Sequence, residues 1–389
     1  MNVVPMNPEE EVLKRYANAS QEREEALCCP VEYDSQYLKV IPPEILERDY
    51  GCGDPSRYVR EGETVLDLGS GGGKICYIIS QIVGPSGRVI GVDFNPAMLE
   101  LAEKYRTQLA ETIGWDNVTF RRGHIQDLKT DVTAMARYVE DNPIADFDGL
   151  QAFEHFRATA PALIKEDSID VIVSNCVLNL VHTEDKAQLF SEMYRVLKTG
   201  GRVAISDIVS DEVVPENMRK DPELWSGCLS GAYQERAFLR AFEEAGFHGI
   251  EVAKRDESPW RTIEGIDFRS ITVTAYKGKA GPCMDHNQAV IYTGPWRKVL
   301  DDDGHTLERG ERMAVCEKTF RLYTSAPYAD QIIPVPPMEA VDPDKAEEFD
   351  CRRNVKRHPR ETKGAGYDVT TEVIEDCCNG GESDESCCD

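Results

Sequence analysis
From about residue 60 to residue 280, short apolar runs alternate with stretches whose apolar positions recur every three or four residues. Val65-Leu66-Asp67-Leu68 is such a run. It turns on Gly69, Gly71, Gly72 and Gly73 and continues into Ile75-Cys76-Tyr77-Ile78-Ile79, which predicts a strand feeding a helix. Arg88–Asp93 reads as the next strand, with Asn95 and Pro96 as N-cap and first residue of a second helix. Val118-Thr119-Phe120 reads as a third strand, Ser168–Ser174 as a buried fourth, and Arg202–Asp207 as a fifth. The fifth follows a helix that ends over Glu192–Lys198 at Gly200-Gly201. A helix over Phe238–Ala245 stops at Gly246, and Ile250–Val252 with Ile271–Thr274 predicts a closing antiparallel pair. Strands and helices in alternation, joined by short glycine turns, predict an α/β fold with a doubly wound, mostly parallel, seven-stranded sheet.

The flanks differ. Asn7 and Pro8 read as the start of an N-terminal helix with Val12, Leu13, Tyr16 and Ala17 on one face, running to about Cys28-Cys29-Pro30. A proline-rich arm over Ile41–Glu44 leads to Tyr50-Gly51-Cys52-Gly53, whose glycines are expected to give Cys52 a loop with unusual backbone angles. This arm, residues 1–60, precedes the first strand and is placed to close over a ligand. Leu128–Asp167 reads as an acidic, loosely helical insertion. Past Gly281-Pro282, Gln288–Tyr292 and Lys318–Tyr323 read as strands around a turn at Asp301–Gly304. They predict a small α+β domain over 281–340, followed by a flexible, acidic, Cys-containing tail over 341–389.

Composition narrows the function. With 41% hydrophobic residues in 389, the chain fills a core across two domains or slightly more. A net charge of −26 argues against a nucleic-acid partner, which requires a basic footprint. No apolar run approaches spanning length and the start carries no secretory signal, so a cytoplasmic protein without a membrane partner is expected. The cysteine count is odd, at thirteen, and no C-x-x-C pair occurs, so neither a disulfide framework nor a zinc ribbon accounts for the thiols.

The glycine turn narrows it further. Asp67-x-Gly69-x-Gly71-x-Gly73 departs from the dinucleotide fingerprint, because Lys74 stands where its last glycine belongs. A carboxylate just before the turn is a poor neighbour for pyrophosphate and a good partner for an ammonium group. Asp93, ending the second strand, is suited to grip two ribose hydroxyls. An amino-acid end at Asp67 and a ribose at Asp93 together describe S-adenosylmethionine, and the signature resembles the first motif of class I, Rossmann-like methyltransferases. Ligands of open α/β sheets sit beyond the carboxyl ends of the strands. There stand Cys176 after the fourth strand and Cys228 on a glycine-flanked loop after the fifth, with Cys52 on the arm in reach. Three convergent thiols make a soft, anionic site when deprotonated. Burial as small apolar residues is the plainer reading of each, and zinc on the same three is a rival ion. Structural zinc usually draws on closely spaced pairs, which these are not. Cys76 reads as core, and His124 and His182 lack companions at ligand spacing.

Tyr50–Gly53, Asp67–Gly73, Ser174-Asn175-Cys176-Val177 and Leu224–Ala232 are similar to the arsenite S-adenosylmethionine methyltransferases. The resemblance covers about Tyr33 to Pro337 with gaps. It implies arsenic(III) ligation by Cys52, Cys176 and Cys228, with an arsenic-binding segment over about 211–235, and transfer of methyl groups to thiol-bound arsenic. It implies a transient disulfide between Cys29 and Cys52, with the Cys28-Cys29 doublet leaving the partner open. It also implies cofactor contacts from Tyr50, Asp67, Gly69, Ser70, Gly71, Asp93, Met98, Ile125, Gln126 and Asn175, and a thioredoxin- or glutathione-based thiol reductant. A monomer is expected. Trivalent arsenic carries its own nucleophilic lone pair, so no general base is needed, and none is evident beside the cysteines. The competing readings are methylation of a small organic acceptor and a thiol-rich metalloid buffer.

Overall fold
A computed structural model describes residues 8–24, 27, 31–278 and 281–371. The chain divides into two compact units, Met1–Gly278 and Lys279–Asp389. In the first unit the strands are β1 (Thr64–Leu68), β2 (Arg88–Asp93), β3 (Val118–Arg122), β4 (Ile169–Asn175), β5 (Leu197–Ser210), β6 (Tyr233–Gln234), β7 (His248–Arg255), β8 (Arg261–Ile263) and β9 (Ile266–Tyr276). Seven follow in the order β3-β2-β1-β4-β5-β9-β7, with β6 beside β5 and β8 beside β9. The first five run parallel, and β9 is antiparallel to both β5 and β7. The expected seven-stranded sheet is therefore present, with two short strands added that are too brief for a periodicity to mark.

Successive side chains of a strand point to opposite faces, and the sheet uses both. Leu66, Leu68, Ile90, Val92, Ile172 and Val203 pack under helices on one face. Val65, Val89, Val171, Val173 and Ala204 pack on the other. Burial on both faces is why these strands read as near-continuous apolar runs. The helix Lys74–Val83 starts at Gly73, whose φ of 86° suits a residue without a Cβ. The helix Pro96–Lys104 is capped by Asn95, which accepts from the Ala97 N–H.

Several expectations are corrected. The N-terminal helix spans Pro8–Ala19 and stops well before Cys28, because the Ser20 hydroxyl turns back onto the Ala17 carbonyl at 2.7 Å. Cys28 and Cys29 lie outside the described residues. The 128–167 insertion holds two helices, Val132–Asp141 and Phe147–Thr159, each capped by an aspartate side chain. They are joined by Tyr138 stacked on Phe156 at 4.2 Å between ring centroids.

In the second unit, β11 (Ala289–Tyr292) lies between β14 (Arg312–Ala314) and β15 (Ile332–Val335), while β12 (Lys298–Leu300) pairs with β13 (Thr306–Glu308) across the expected Asp301–Gly304 turn. Glu317–Tyr323 is a helix, not a strand. The Cys316 thiol caps it and a Glu317–Arg321 pair spans one turn. Phe320 and Tyr323, one turn apart, then reach the unit's core. Order extends past residue 341. β16 (Glu347–Glu348) pairs with β10 (Met284–Asp285), Arg357 makes two bonds to Asp285, and a helix covers Pro359–Lys363. Cys377, Cys378, Cys387 and Cys388 lie outside the described residues. Among the described residues no helix is long and apolar enough to cross a membrane.

Candidate active site
Beyond the carboxyl ends of β1, β2 and β4 lies a cleft, and all ten residues expected to contact the cofactor line it. The turn after β1 is built for close approach. A Cβ on Gly69 would fall 2.4 Å from Val177, whereas Gly71, at φ 49°, faces open space. The Gly71 N–H donates to one Asp93 oxygen at 2.9 Å and the Asn95 N–H to the other at 2.8 Å. Each carboxylate oxygen keeps a lone pair for a further donor. Burial raises the Asp93 carboxyl above its ordinary value, against the pull of these backbone donors. Burial also pushes the Asp67 carboxyl up to about 7, opposed by a hydrogen bond from the Cys76 thiol and reinforced by Asp93 and Asp49. The Ser70 hydroxyl is buried with no hydrogen-bond partner among the described residues. A buried carboxyl starved of a cation, a carboxylate with spare lone pairs and an orphaned hydroxyl fit an amino-acid end and a ribose. Met98 and Ile125 are buried along the same wall. Gln126 reaches Glu9 at 3.3 Å, and Tyr50 donates to the Ala19 carbonyl at 2.9 Å.

Cys176 lines the inner end of the cleft, and Cys52, Cys176 and Cys228 share one buried cluster. The Cys52 and Cys176 sulfurs lie within 4.8 Å of each other and of an Asp207 oxygen. Cys228 stands beside that trio. Its thiol donates to the Cys176 carbonyl at 3.1 Å and lies 3.8 Å from the Tyr16 hydroxyl. Cys176 and Cys228 hold left-handed φ values of 64° and 62°, a conformation that L residues adopt at a cost and that clusters at functional sites. The unusual backbone is thus at these two cysteines and not at the glycines around Cys52. Gly51 and Gly53 serve close packing instead: a Cβ on Gly51 would meet the Asn175 amide at 2.1 Å, and one on Gly53 the Ser206 hydroxyl at 2.5 Å.

Asn175 ties the arm to the sheet. Its side-chain oxygen accepts from the Cys52 and Gly53 N–H groups at 2.8 and 3.0 Å, and its amide donates to the Gly53 carbonyl at 2.7 Å. It borders the cleft, but its hydrogen bonds are spent on positioning Cys52. Asn175→Ala is expected to cut arsenite turnover at least about tenfold, since it removes three part-buried hydrogen bonds that hold the Cys52 loop. Cofactor affinity is expected to change only a few-fold, so parallel turnover and titration calorimetry separate positioning from cofactor contact.

Asp207 was missed in the sequence, where the last residue of an apolar strand carries no mark of its own. It is fully buried and accepts from Leu178 N at 2.9 Å and Asn179 Nδ2 at 2.8 Å, pinning the loop that follows Cys176. Burial raises its carboxyl above the ordinary value, opposed by these donors and by Lys186. A proton-carrying group therefore does stand beside the cysteines, contrary to expectation. The N-terminal helix closes the site from above. Arg15 donates to the Glu223 carbonyl and the Ser226 hydroxyl, both at 2.9 Å, and Val12 and Tyr16 line the cleft. His124 stacks on Phe94 at the rim, and Cys76 is buried in the helix after the glycine turn.

A family model described as a methyltransferase domain matches residues 60–246, and one described as a domain of unknown function (DUF8838) matches residues 279–367. The arsenite methyltransferase of Aquipseudomonas alcaligenes is 31% identical over 326 residues, covering 80% of this chain and 85% of that protein. The arsenite methyltransferase of Homo sapiens is 31% identical over 337 residues, covering 83% and 80% respectively. The crystal structure of CrArsM, an arsenic(III) S-adenosylmethionine methyltransferase from Chlamydomonas reinhardtii, is similar with a TM-score of 0.54 and 28% identity. That match covers 83% of this chain and 100% of the other.

Proposed function
The chain belongs to the arsenite methyltransferase family, and from that premise we propose that its substrate is held by the sulfurs of Cys52, Cys176 and Cys228. The enzyme methylates trivalent arsenic with S-adenosylmethionine. The observation that carries the ligand assignment is the burial of three cysteines from three segments in one cluster, with Cys176 at the inner end of the cofactor cleft.

Arsenite brings three hydroxyls. Each thiol proton leaves with one of them as water, so three arsenic–sulfur bonds replace three arsenic–oxygen bonds with no net change in charge. Asp207, within 4.8 Å of two of the sulfurs, is placed to hold a proton during the exchange. The thiolates keep arsenic trivalent and electron-rich, with its lone pair outside the sulfur tripod. Asp67, Ser70 and Asp93 would hold the cofactor, which when bound supplies a methyl group on a sulfonium centre. Val12 and Tyr16 on the N-terminal helix exclude water from the meeting point, and Asn175 keeps the Cys52 loop in register, so catalysis is positional. Arsenic that has given its lone pair to carbon is pentavalent. A thiolate not bound to arsenic attacks the sulfur of arsenic-bound Cys52, so that a disulfide forms, the arsenic–sulfur bond breaks and its electron pair stays on arsenic, returning it to the trivalent state, and a thioredoxin- or glutathione-based reductant restores the thiols. Cys29 is the proposed partner of Cys52 in that disulfide. This redox demand suits an enzyme of the reducing cytoplasm.

Purified protein incubated with arsenite, S-adenosylmethionine and thiols is expected to yield methylated arsenic, resolved by chromatography with elemental mass detection. Absence of any methylated product under reducing conditions overturns the reading.

A further inference from the structure
Cys283, Cys316 and Cys351 are distant in sequence, yet their sulfurs all lie within 4.8 Å of one another in the second unit. Backbone and amide hydrogen bonds place each segment, and the Cys316 thiol also caps the helix that follows it. The Phe349 N–H donates to the Cys283 carbonyl at 2.8 Å, and the ladder continues through Met284 and Glu348, which sets the Cys351 turn beside Cys283. The Val315 carbonyl before Cys316 accepts from the buried Gln288 amide at 2.7 Å. Cys316 is fully buried, while Cys283 and Cys351 are half-buried, so the trio opens outward on one side.

We propose that these three cysteines form a second thiophilic site, which binds one trivalent arsenic atom. Three sulfurs complete the coordination of trivalent arsenic, whereas a structural zinc requires four ligands. Among the described residues no histidine, aspartate or glutamate joins the trio as a fourth. The soft donor set excludes magnesium and calcium. Choosing arsenic over another soft ion rests on the function proposed above. Binding balances as at the active site, the three thiol protons leaving with the hydroxyls of arsenite as three waters. Burial works against ionisation of Cys283, but hydrogen bonds from Cys351, Lys318 and Cys316 outweigh it and hold its thiol below the ordinary value.

The test uses the full-length chain with serine at positions 28, 29, 52, 176, 228, 377, 378, 387 and 388, leaving the trio and the core Cys76. Arsenite is expected to bind at one arsenic per chain with three sulfur neighbours by X-ray absorption. Adding Cys316→Ser or Cys351→Ser is expected to weaken binding at least about a hundredfold. Circular dichroism checks folding, and should the buried Cys316→Ser variant unfold, the half-buried Cys351→Ser variant decides alone. No arsenic on the background chain, undiminished binding by Cys351→Ser, or stoichiometric zinc on the trio that arsenite does not displace would overturn the site. Methylation by the unaltered chain is measured in parallel. Turnover without this second atom removes the second site alone, and binding at the trio without turnover removes the methyltransferase reading alone.

Discussion
Cys176→Ser is expected to lower arsenite methylation by more than about a thousandfold while leaving S-adenosylmethionine affinity within a few-fold of normal. The substitution exchanges a sulfur for an oxygen at the inner end of the cleft. A serine hydroxyl does not replace hydroxide on arsenic with a more stable bond, so the tripod loses a leg and arsenic is no longer held for in-line attack. Serine is close in size and carries the φ of 64° no worse than cysteine, so the loss is not one of folding. Cys228→Ser is expected to behave alike. Cys52→Ser should instead abolish the first methylation and spare the next, because monomethylated arsenic has one bond to carbon and needs only two sulfurs. Arsenic speciation after single turnover, with calorimetry for the cofactor, checks all three. Full arsenite turnover by Cys176→Ser would remove the thiolate site.

What the chain disclosed in advance follows from which physics is local. The parallel strands declared themselves because burial on both faces forces near-continuous apolar runs, as in Val171-Ile172-Val173. The glycine turn and Asp93 declared the cofactor because their chemistry needs fixed residue types at fixed spacing. The helix at Glu317–Tyr323 was misread because six residues are too few to carry an independent period, and a thiol cap at Cys316 is not a familiar signal. The glycines around Cys52 were noticed for the wrong reason. Conformational freedom is a property of the residue itself, whereas the approach of Asn175 and Ser206 to Gly51 and Gly53 comes from strands far away in sequence. The left-handed backbone at Cys176 and Cys228, the proximity of Asp207 and the Cys283–Cys316–Cys351 cluster are likewise products of tertiary contact. None leaves a trace in a single sequence.

Asp67→Asn is expected to weaken S-adenosylmethionine binding about thirty- to a hundredfold, since it removes the buried carboxylate offered to the ligand's ammonium group. Its pH dependence is the sharper readout. With its pKa at about 7 in the unliganded fold, Asp67 is protonated at lower pH and must release that proton when an ammonium group binds. Affinity of the native enzyme is therefore expected to rise about tenfold per pH unit from roughly pH 5.5 to 7 and then level off. The asparagine variant is expected to lose most of that slope, leaving the residual due to Asp93, which burial also raises. Calorimetry in two buffers of different ionisation enthalpy counts the released proton directly. The stability of the unliganded fold should move in the opposite direction. A carboxyl raised from 3.8 to about 7 binds more protons folded than unfolded between those values, so stability falls as pH rises through them. Asp67 alone contributes a loss of roughly 4 kcal/mol to that fall, and the asparagine variant is expected to melt higher than the native protein at pH 7.5 without cofactor. A weaker-binding variant that is the more stable of the two would mark Asp67 as a charge buried for its ligand, whereas equal pH slopes in both proteins would place the ammonium elsewhere.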